Sequence, residues 1–381
     1  MLDLMQLGKL INMDQFIPLA KPNILSKDIE LVVEVLKSGM LVQGKYVSEL
    51  ESAFTKLSKS KYASALSNGT ATLHLALKSL GIKEGDEVIV PAFSYIATAN
   101  VIELVGAKPI FVDIDLSTFN IDVSKIESVI TPKTKAIMPV HEFGLACDIG
   151  EIMQIAKKYN LYVIEDAACA LGACYKEQHV GTFGDFGSFS LHPRKAISCG
   201  EGGMLLTNNN LLDEKVKKLR NHGTEFINGQ MDFTEFGFNY RMTDFQAALV
   251  VSQMDRLQKS IDYKNELAAI YDSNINSKNI VLPFTPSYTK HTWQTYHVII
   301  DESINRDELI TKLKEKNIGV NYGAQCMPYM QAFKKKYNYD CEQLFPNALK
   351  AYKQGLALPI YDLVTKEQII YISNTLNNLL K

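Results

Sequence analysis

The chain has 381 residues, 46% of them hydrophobic and 22% charged, enough for two or three domains at roughly 150 residues each and far from a disordered or fibrous composition. Its 40 Lys and Arg nearly balance 42 Asp and Glu, a net charge of −2, so no overall field draws it to nucleic acid or to an anionic membrane, and any anion site must be built locally. Six cysteines (Cys147, Cys169, Cys174, Cys199, Cys326, Cys341) form no CxxC pair and no zinc-finger spacing, and they read as reduced thiols of a cytoplasmic protein.

In chain order, MLDLMQLGKLINMDQF interrupts its apolar positions with Asp3 and Lys9 and lacks a small-residue cleavage site. It predicts an N-terminal arm over 1–22 rather than a signal peptide. No stretch approaches 18 uncharged apolar residues, so no membrane span is expected. From Tyr62 to Thr207 short apolar runs alternate with helical periodicity: YASALS then TATLHLALKSLG, EVIVPAF then IATANVIELVG, KPIFVDI, KAIMPV then IGEIMQIAKKY, LYVIED, GSFSL and GGMLLT. Such alternation needs crossover connections and predicts an α/β fold, a mostly parallel sheet covered on both faces, with ligands beyond the carboxyl ends of its strands. A long helical stretch from Thr243 to Ser273 is expected to join two domains. Beyond Asn276 the pattern becomes a smaller α+β one: HTWQTYHVII as a strand, RDELITKLKEKN as a helix, IGVNYG as a strand and TKEQIIYISNTLNNLL as a closing helix. The expected division is an arm over 1–22, a large domain over 23–255 and a small C-terminal domain over 256–381.

Three constellations carry chemistry. Ser67-Asn68-Gly69-Thr70 lies between a strand and an apolar-periodic helix, where free N–H groups and the helix dipole form a phosphate cup; a Ser/Thr N-cap explains the same residues. Val163 to Ala168 runs an apolar strand into Glu165 and Asp166, either a ligand-facing acid or a cap for the next helix. Lys195 follows Pro193 in a stretch of few charges before a glycine-rich turn. Partial desolvation there favours the neutral amine that attacks a carbonyl, against the alternative of a snorkelling surface lysine. One cofactor uses all three: pyridoxal 5'-phosphate (PLP) needs a phosphate cup, a carboxylate for its pyridine nitrogen and a lysine for its aldehyde. Gly181, Gly184 and Gly187 read as turn glycines, because they do not open a helix as a dinucleotide fingerprint must. His192 reads as a structural imidazole and Trp293 as core packing on a strand. His222, Arg241 and His291 are open between contacts to substrate anions and surface or interface roles.

The strings SNGTATLHLAL, GDEVIVPAFSYIATANVI, VIEDAACALGA, GTFGDFGSFSLHPRKAISCGEGGML and GFNYRMTDFQAAL resemble the DegT-type sugar aminotransferase family of fold-type I PLP enzymes, from about Ile17 to the closing helix and most closely through residue 250. The resemblance implies that Lys195 bonds to the cofactor's aldehyde and shuttles protons, and that Asp166 pairs with the ring nitrogen. It further implies that Tyr95 stacks on the ring, and that Gly69, Thr70 and Ser190 hold the phosphate. Cys169 stands beside the ring where relatives carry Gln or His, and reads as a packing thiol. Asn239 reaches in from a second subunit, which makes the enzyme a homodimer with shared active sites. The implied reaction moves the amino group of L-glutamate to a keto-sugar, by family default a nucleotide-linked 4-keto-6-deoxy sugar. The segment 321–333, NYGAQCMPYMQAF, offers Cys326, Met327 and Pro328 where relatives place an acceptor-pocket histidine, so a small phosphorylated ketone such as dihydroxyacetone phosphate is the alternative acceptor. A PLP-dependent dehydratase is a remoter reading, opposed by the retained Lys195. A regulatory cofactor-binding module is opposed by the lack of a basic recognition helix in the first sixty residues.

Overall fold

The structure is a computed structural model and describes residues 16–381; most of the segment read as an N-terminal arm, residues 1–15, lies outside the described residues. Seven strands form the main sheet: β1 (Tyr62–Leu66), β2 (Glu87–Pro91), β3 (Lys108–Val112), β4 (Thr134–Ile137), β5 (Tyr162–Asp166), β6 (Phe186–Ser190) and β7 (Gly203–Thr207). Their order across the sheet is β1-β7-β6-β5-β4-β2-β3. Only the two pairings made by β7 are antiparallel, so the other six strands aim their carboxyl ends at one edge.

The strands are mostly buried, Val- and Ile-rich in β2 to β5 and built of small and apolar residues in β1, β6 and β7, because both faces are covered. Alternate residues feed two separate cores. Val163, Phe189, Met204 and Leu206 pack on one side with Leu50 and Phe54 of α2 (Lys45–Ser58) and with Ile149 and Ile152 of α5 (Ile149–Tyr159). Ile164, Phe186 and Leu205 pack on the other with Leu73 and Ala76 of α3 (Gly69–Ser79) and Ile102 of α4 (Ala97–Leu104). A smaller antiparallel sheet, β8 (Ile280–Val281), β9 (Tyr296–Ile300) and β10 (Gly355–Leu358), builds a third core with α8 (Leu257–Asn274), α9 (Arg306–Glu315) and α10 (Lys366–Leu379). Ile17 joins this core; its N–H bonds to Asn317 O at 2.8 Å and its carbonyl accepts from Gly319 at 2.7 Å.

Three expected elements come out differently. The helical stretch 243–273 is broken into α7 (Asp244–Val251), a 3-10 turn over Ser252–Arg256, and α8. The break places Ser252 and Arg256 on the carboxylate of Asp28, which is buried in α1 (Ser26–Ser38). The run HTWQTYHVII is strand only from Tyr296, because Thr292 and Gln294 give their N–H groups to Gly144 O (3.1 Å) and Phe143 O (2.9 Å) and Trp293 turns through a φ of 50°. IGVNYG forms no strand: Ile318 and Asn321 make single bridges, to Ile17 and Ala357.

Candidate functional site

The cup, the acid and the lysine meet at the carboxyl edge of the main sheet. Leu66, Gly203 and Ser190 are register partners across β1, β7 and β6, and Asp166 pairs with Ser188. Asn68 follows β1 and caps α3, its Oδ1 accepting from Ala71 N at 2.8 Å. The helix is thus capped as the second reading of that motif expects, but by Asn68 rather than by a Ser or Thr hydroxyl. Gly69 and Thr70 precede the first intrahelical bond, so their N–H groups face out of the helix end. Small residues bring the pieces close: a Cβ on Gly69 would lie 2.9 Å from Ser190 Cβ, and one on Gly203 would lie 2.6 Å from the Asn68 carbonyl. Thr72 and Ser188 join hydroxyls at 2.5 Å beneath the cup.

Asp166 ends β5 buried. Its Oδ2 accepts from Thr98 Oγ1 at 2.8 Å and its Oδ1 from Ala168 N at 3.2 Å. Burial pushes its carboxyl above the usual range, against the pull of those two bonds and of Lys195. Glu165, one residue earlier, has a different task. Its carboxylate accepts from Gly181 N (2.7 Å), Phe183 N (2.8 Å), Gly184 N (2.9 Å) and contacts His141 Nε2 (3.0 Å). It fixes the segment leading into β6 that holds Gly181 and Gly184; Gly187, read as a turn glycine, lies instead within β6, paired with Leu206 and Glu165.

Lys195 lies in the loop between β6 and β7. Its N–H bonds to His192 O at 2.8 Å, and Gln253 clasps the following residues through Ser198 N (3.0 Å) and Ser198 O (2.9 Å). The lysine Nζ donates to Cys169 Sγ at 3.1 Å, and Asp166 and Lys195 attract each other. Cys169 is thus the amine's immediate neighbour and not a mere packing thiol, its own thiol pushed up by burial. Tyr95 is 66% exposed at the head of α4, at the same edge. Asn239 is exposed and bridges Asn221, whose Oδ1 also takes Arg241 NH1 at 2.5 Å. His192 receives Arg194 N on Nδ1 at 3.4 Å.

Other candidates lie elsewhere. His291 is buried, stacked on Trp293 at 3.8 Å with its Nδ1 accepting from Trp293 N at 2.9 Å, and burial pushes it down to about 3. His222 is exposed in a turn. Cys326 and Met327 are fully buried: Cys326 pairs with Phe93, and Met327 N bonds to Ala92 O at 2.8 Å. That segment braces the backbone leading to Tyr95 instead of presenting those side chains to a substrate. Thr98, the donor to Asp166, is a residue of this edge that the sequence does not single out; a hydroxyl inside a helix carries no local signal for it. Among the described residues no group of three or more His, Cys, Asp or Glu is set to hold a metal ion. No described helix is long and apolar enough to cross a membrane.

Residues 22–377 match the sequence profile of the DegT/DnrJ/EryC1/StrS aminotransferase family. The chain belongs to that family. It is an aminotransferase, and PLP is its cofactor. Among relatives, a GDP-perosamine synthase of Escherichia coli O157:H7 is 40% identical over 367 residues, 95% of this chain and 98% of the relative. The spore coat polysaccharide biosynthesis protein SpsC of Bacillus subtilis is 35% identical, covering 97% and 98%. Among solved structures, PseC of Helicobacter pylori, an aminotransferase involved in pseudoaminic acid biosynthesis, superposes with a TM-score of 0.91 at 25% identity over 96% of this chain and 99% of that one. Spr1654 of Streptococcus pneumoniae, solved in PLP and PMP forms, gives 0.90 at 29% identity, covering 96% of this chain and 97–98% of its own. The site fits the cofactor on its own geometry: a helix N-terminus closed by glycine against Ser190, a buried acid and an amine converge on one edge.

Proposed function

We propose that this aminotransferase moves the amino group of L-glutamate to the keto carbon of a nucleotide-linked 4-keto-6-deoxy sugar, as a cytoplasmic homodimer serving surface polysaccharide synthesis. The observation that carries the residue assignment is the meeting of Gly69, Ser190, Asp166 and Lys195 beyond the carboxyl ends of parallel strands. The sugar class rests on relatives named for perosamine and spore coat polysaccharide synthesis.

When bound, PLP supplies an electron sink for the bonds broken at the amino donor's α-carbon. The backbone N–H groups of Gly69 and Thr70, with Ser190 Oγ, hold its phosphate. Each such bond to a charged group contributes roughly 1.5–3 kcal/mol, so the cup outweighs the stack of Tyr95, about 0.5–1.5 kcal/mol beyond area burial. Asp166 holds the proton of the ring nitrogen. Lys195 Nζ would hold the cofactor's aldehyde and, as a free amine, would take and return a proton at the donor's α-carbon, acting as base and then as acid, with the same role toward the keto acceptor. Asn239 reaches toward the partner subunit's site.

The test is spectroscopic. The purified protein should absorb in the visible, L-glutamate should bleach that band, and a nucleotide-linked 4-keto-6-deoxy sugar should restore it; Lys195→Ala should abolish the cycle. A band that no amino acid bleaches, or that persists unaltered in the Lys195 variant, would overturn the proposal.

A further inference from the structure

The loop that carries Lys195 also walls a cavity of about 40 Å³, closed by α8 and by the segments before α1 and after β10. That is room for about three waters at 10–15 Å³ each, or for one small ion in their place. None of Gly69, Tyr95, Asp166, Cys169 or Ser190 lines it, so it is distinct from the cofactor edge although it shares the loop. Lys264 of α8 stands in the wall, 4% exposed, and its Nζ makes no hydrogen bond or ion pair among the described residues. Arg194, the residue before Lys195, stands in the same wall. Its carbonyl takes Gln294 Nε2 at 3.0 Å, but its guanidinium is uncommitted among the described residues, and its Nε is buried without a partner.

The remaining charges of the wall are already engaged or lie in solvent. Lys195 Nζ donates to Cys169, Arg256 is held by Asp28, and Lys21 is exposed. Asp362 is the one carboxylate among the described residues of the wall; its Oδ1 accepts from Ser260 Oγ at 2.5 Å, and its attraction reaches Lys264 without an ion pair forming. A buried amine with no partner is costly, because it must either give up its proton or gain a counter-charge. Burial accordingly pushes the Lys264 amine below its ordinary value, with Asp362 opposing. An apolar side chain would fill the same position of α8 without that cost.

We propose that this cavity is a binding site for one small oxyanion of the size of inorganic phosphate, held between Lys264 Nζ and the guanidinium of Arg194. The two uncommitted cations select an anion over a metal ion, and the polar wall selects it over an apolar ligand. An anion there supplies the counter-charge that Lys264 lacks. It also ties α8, a helix of the third core, to the residue adjoining Lys195, a second anchor for that loop beside the one Gln253 makes through Ser198.

Holoenzyme, whose phosphate cup PLP already fills, should bind one equivalent of inorganic phosphate in a calorimetric titration at constant ionic strength set with chloride. Lys264→Met keeps the length and the burial but removes the charge, and should raise the phosphate dissociation constant at least about tenfold. Asp362→Asn removes the opposing charge and should lower it several-fold. The visible band of bound PLP reports that each variant is folded with its cup filled; should K264M not fold, D362N decides alone. The inference fails if wild-type holoenzyme binds no phosphate, if K264M binds it as wild type does, or if D362N binds it no more tightly.

Discussion

Successive residues of one strand, Glu165 and Asp166, face opposite ways because strand side chains alternate, and their surroundings give them opposite energetics. Glu165 serves three backbone N–H groups, and Glu165→Ala strands them in the core; a loss of about 3 kcal/mol is expected in denaturant unfolding. Asp166 has a carboxyl raised by burial, so its native state binds the proton more tightly than the unfolded chain does. The stability it contributes is complete below about pH 4 and is lost as pH rises through its folded value. Apoenzyme carrying Asp166→Asn should therefore melt at or above the wild-type temperature at pH 7, with the difference vanishing in acid, while turnover falls at least about 100-fold. A lower melting temperature at both pH values would contradict the assignment. Tyr95→Ala should raise the PLP dissociation constant about tenfold and cost less turnover than Asp166→Ala. Lys195, Asp166 and the cup were legible in the sequence because each is a local pattern at a strand end. The Cys169–Lys195 contact and the Thr98–Asp166 bond were not, since they join segments that follow separate strands, whose spacing only the sheet order sets.

The βα alternation from Tyr62 to Thr207 was readable since each strand is short and apolar and each helix has its own period, and the two cores behind alternate residues follow from that pattern. The interruption after Val251 was not, because nothing local in FQAALVVSQMDRL opposes a helix; a distant partner imposes it. Asp28 accepts from Leu25 N at 2.8 Å, from Arg256 NH2 at 2.5 Å and from Ser252 Oγ. Burial works to raise this carboxyl, and those bonds together hold it below the usual range. Its contribution is then present above about pH 4 and fades as pH falls through the lowered folded value. Asp28→Ala should cost about 3 kcal/mol in urea unfolding at pH 7 and progressively less below pH 4. A pH-independent difference would mean that the pair carries no charge-linked stability. The same turn offers Gln253 to Ser198, so the break that interrupts the helix also secures the loop bearing Lys195. At the opposite end of the site, Asn68→Ala removes the α3 cap and should cost about 1 kcal/mol of stability together with a measurable loss of PLP affinity.

At the scale of the molecule, the hairpin Thr224–Ile227 and Gln230–Phe233 carries Phe226, Ile227, Met231 and Phe233 exposed, with Phe236 wholly exposed beside it. A cluster of this kind marks an interaction surface, and in the proposed homodimer it is the expected seat of the second subunit. Phe226→Glu combined with Phe233→Glu should halve the mass measured by sedimentation, and it should weaken PLP retention if Asn239 acts across the interface; an unchanged mass would remove the hairpin from the interface. The three cores do not stand apart. Phe93–Ser94 pairs with Gln325–Cys326, and Thr292 and Gln294 hold the turn of Glu142, so residues from the last third of the chain support the cofactor edge. Trp293, between those two, is the sole tryptophan of the chain; it is buried, stacked on His291, and its Nε1 donates to Asn265 Oδ1 of α8 at 3.1 Å. The protein therefore contains a single tryptophan, excitable apart from its 18 tyrosines at the red edge of their absorption, beside the residues that hold the turn of Glu142. Burial pushes the stacked His291 down to about 3, so that ring adds no proton-linked quenching near neutrality. Loss of its emission on loading PLP, whose absorbance can accept that energy, would count filled sites without any added dye.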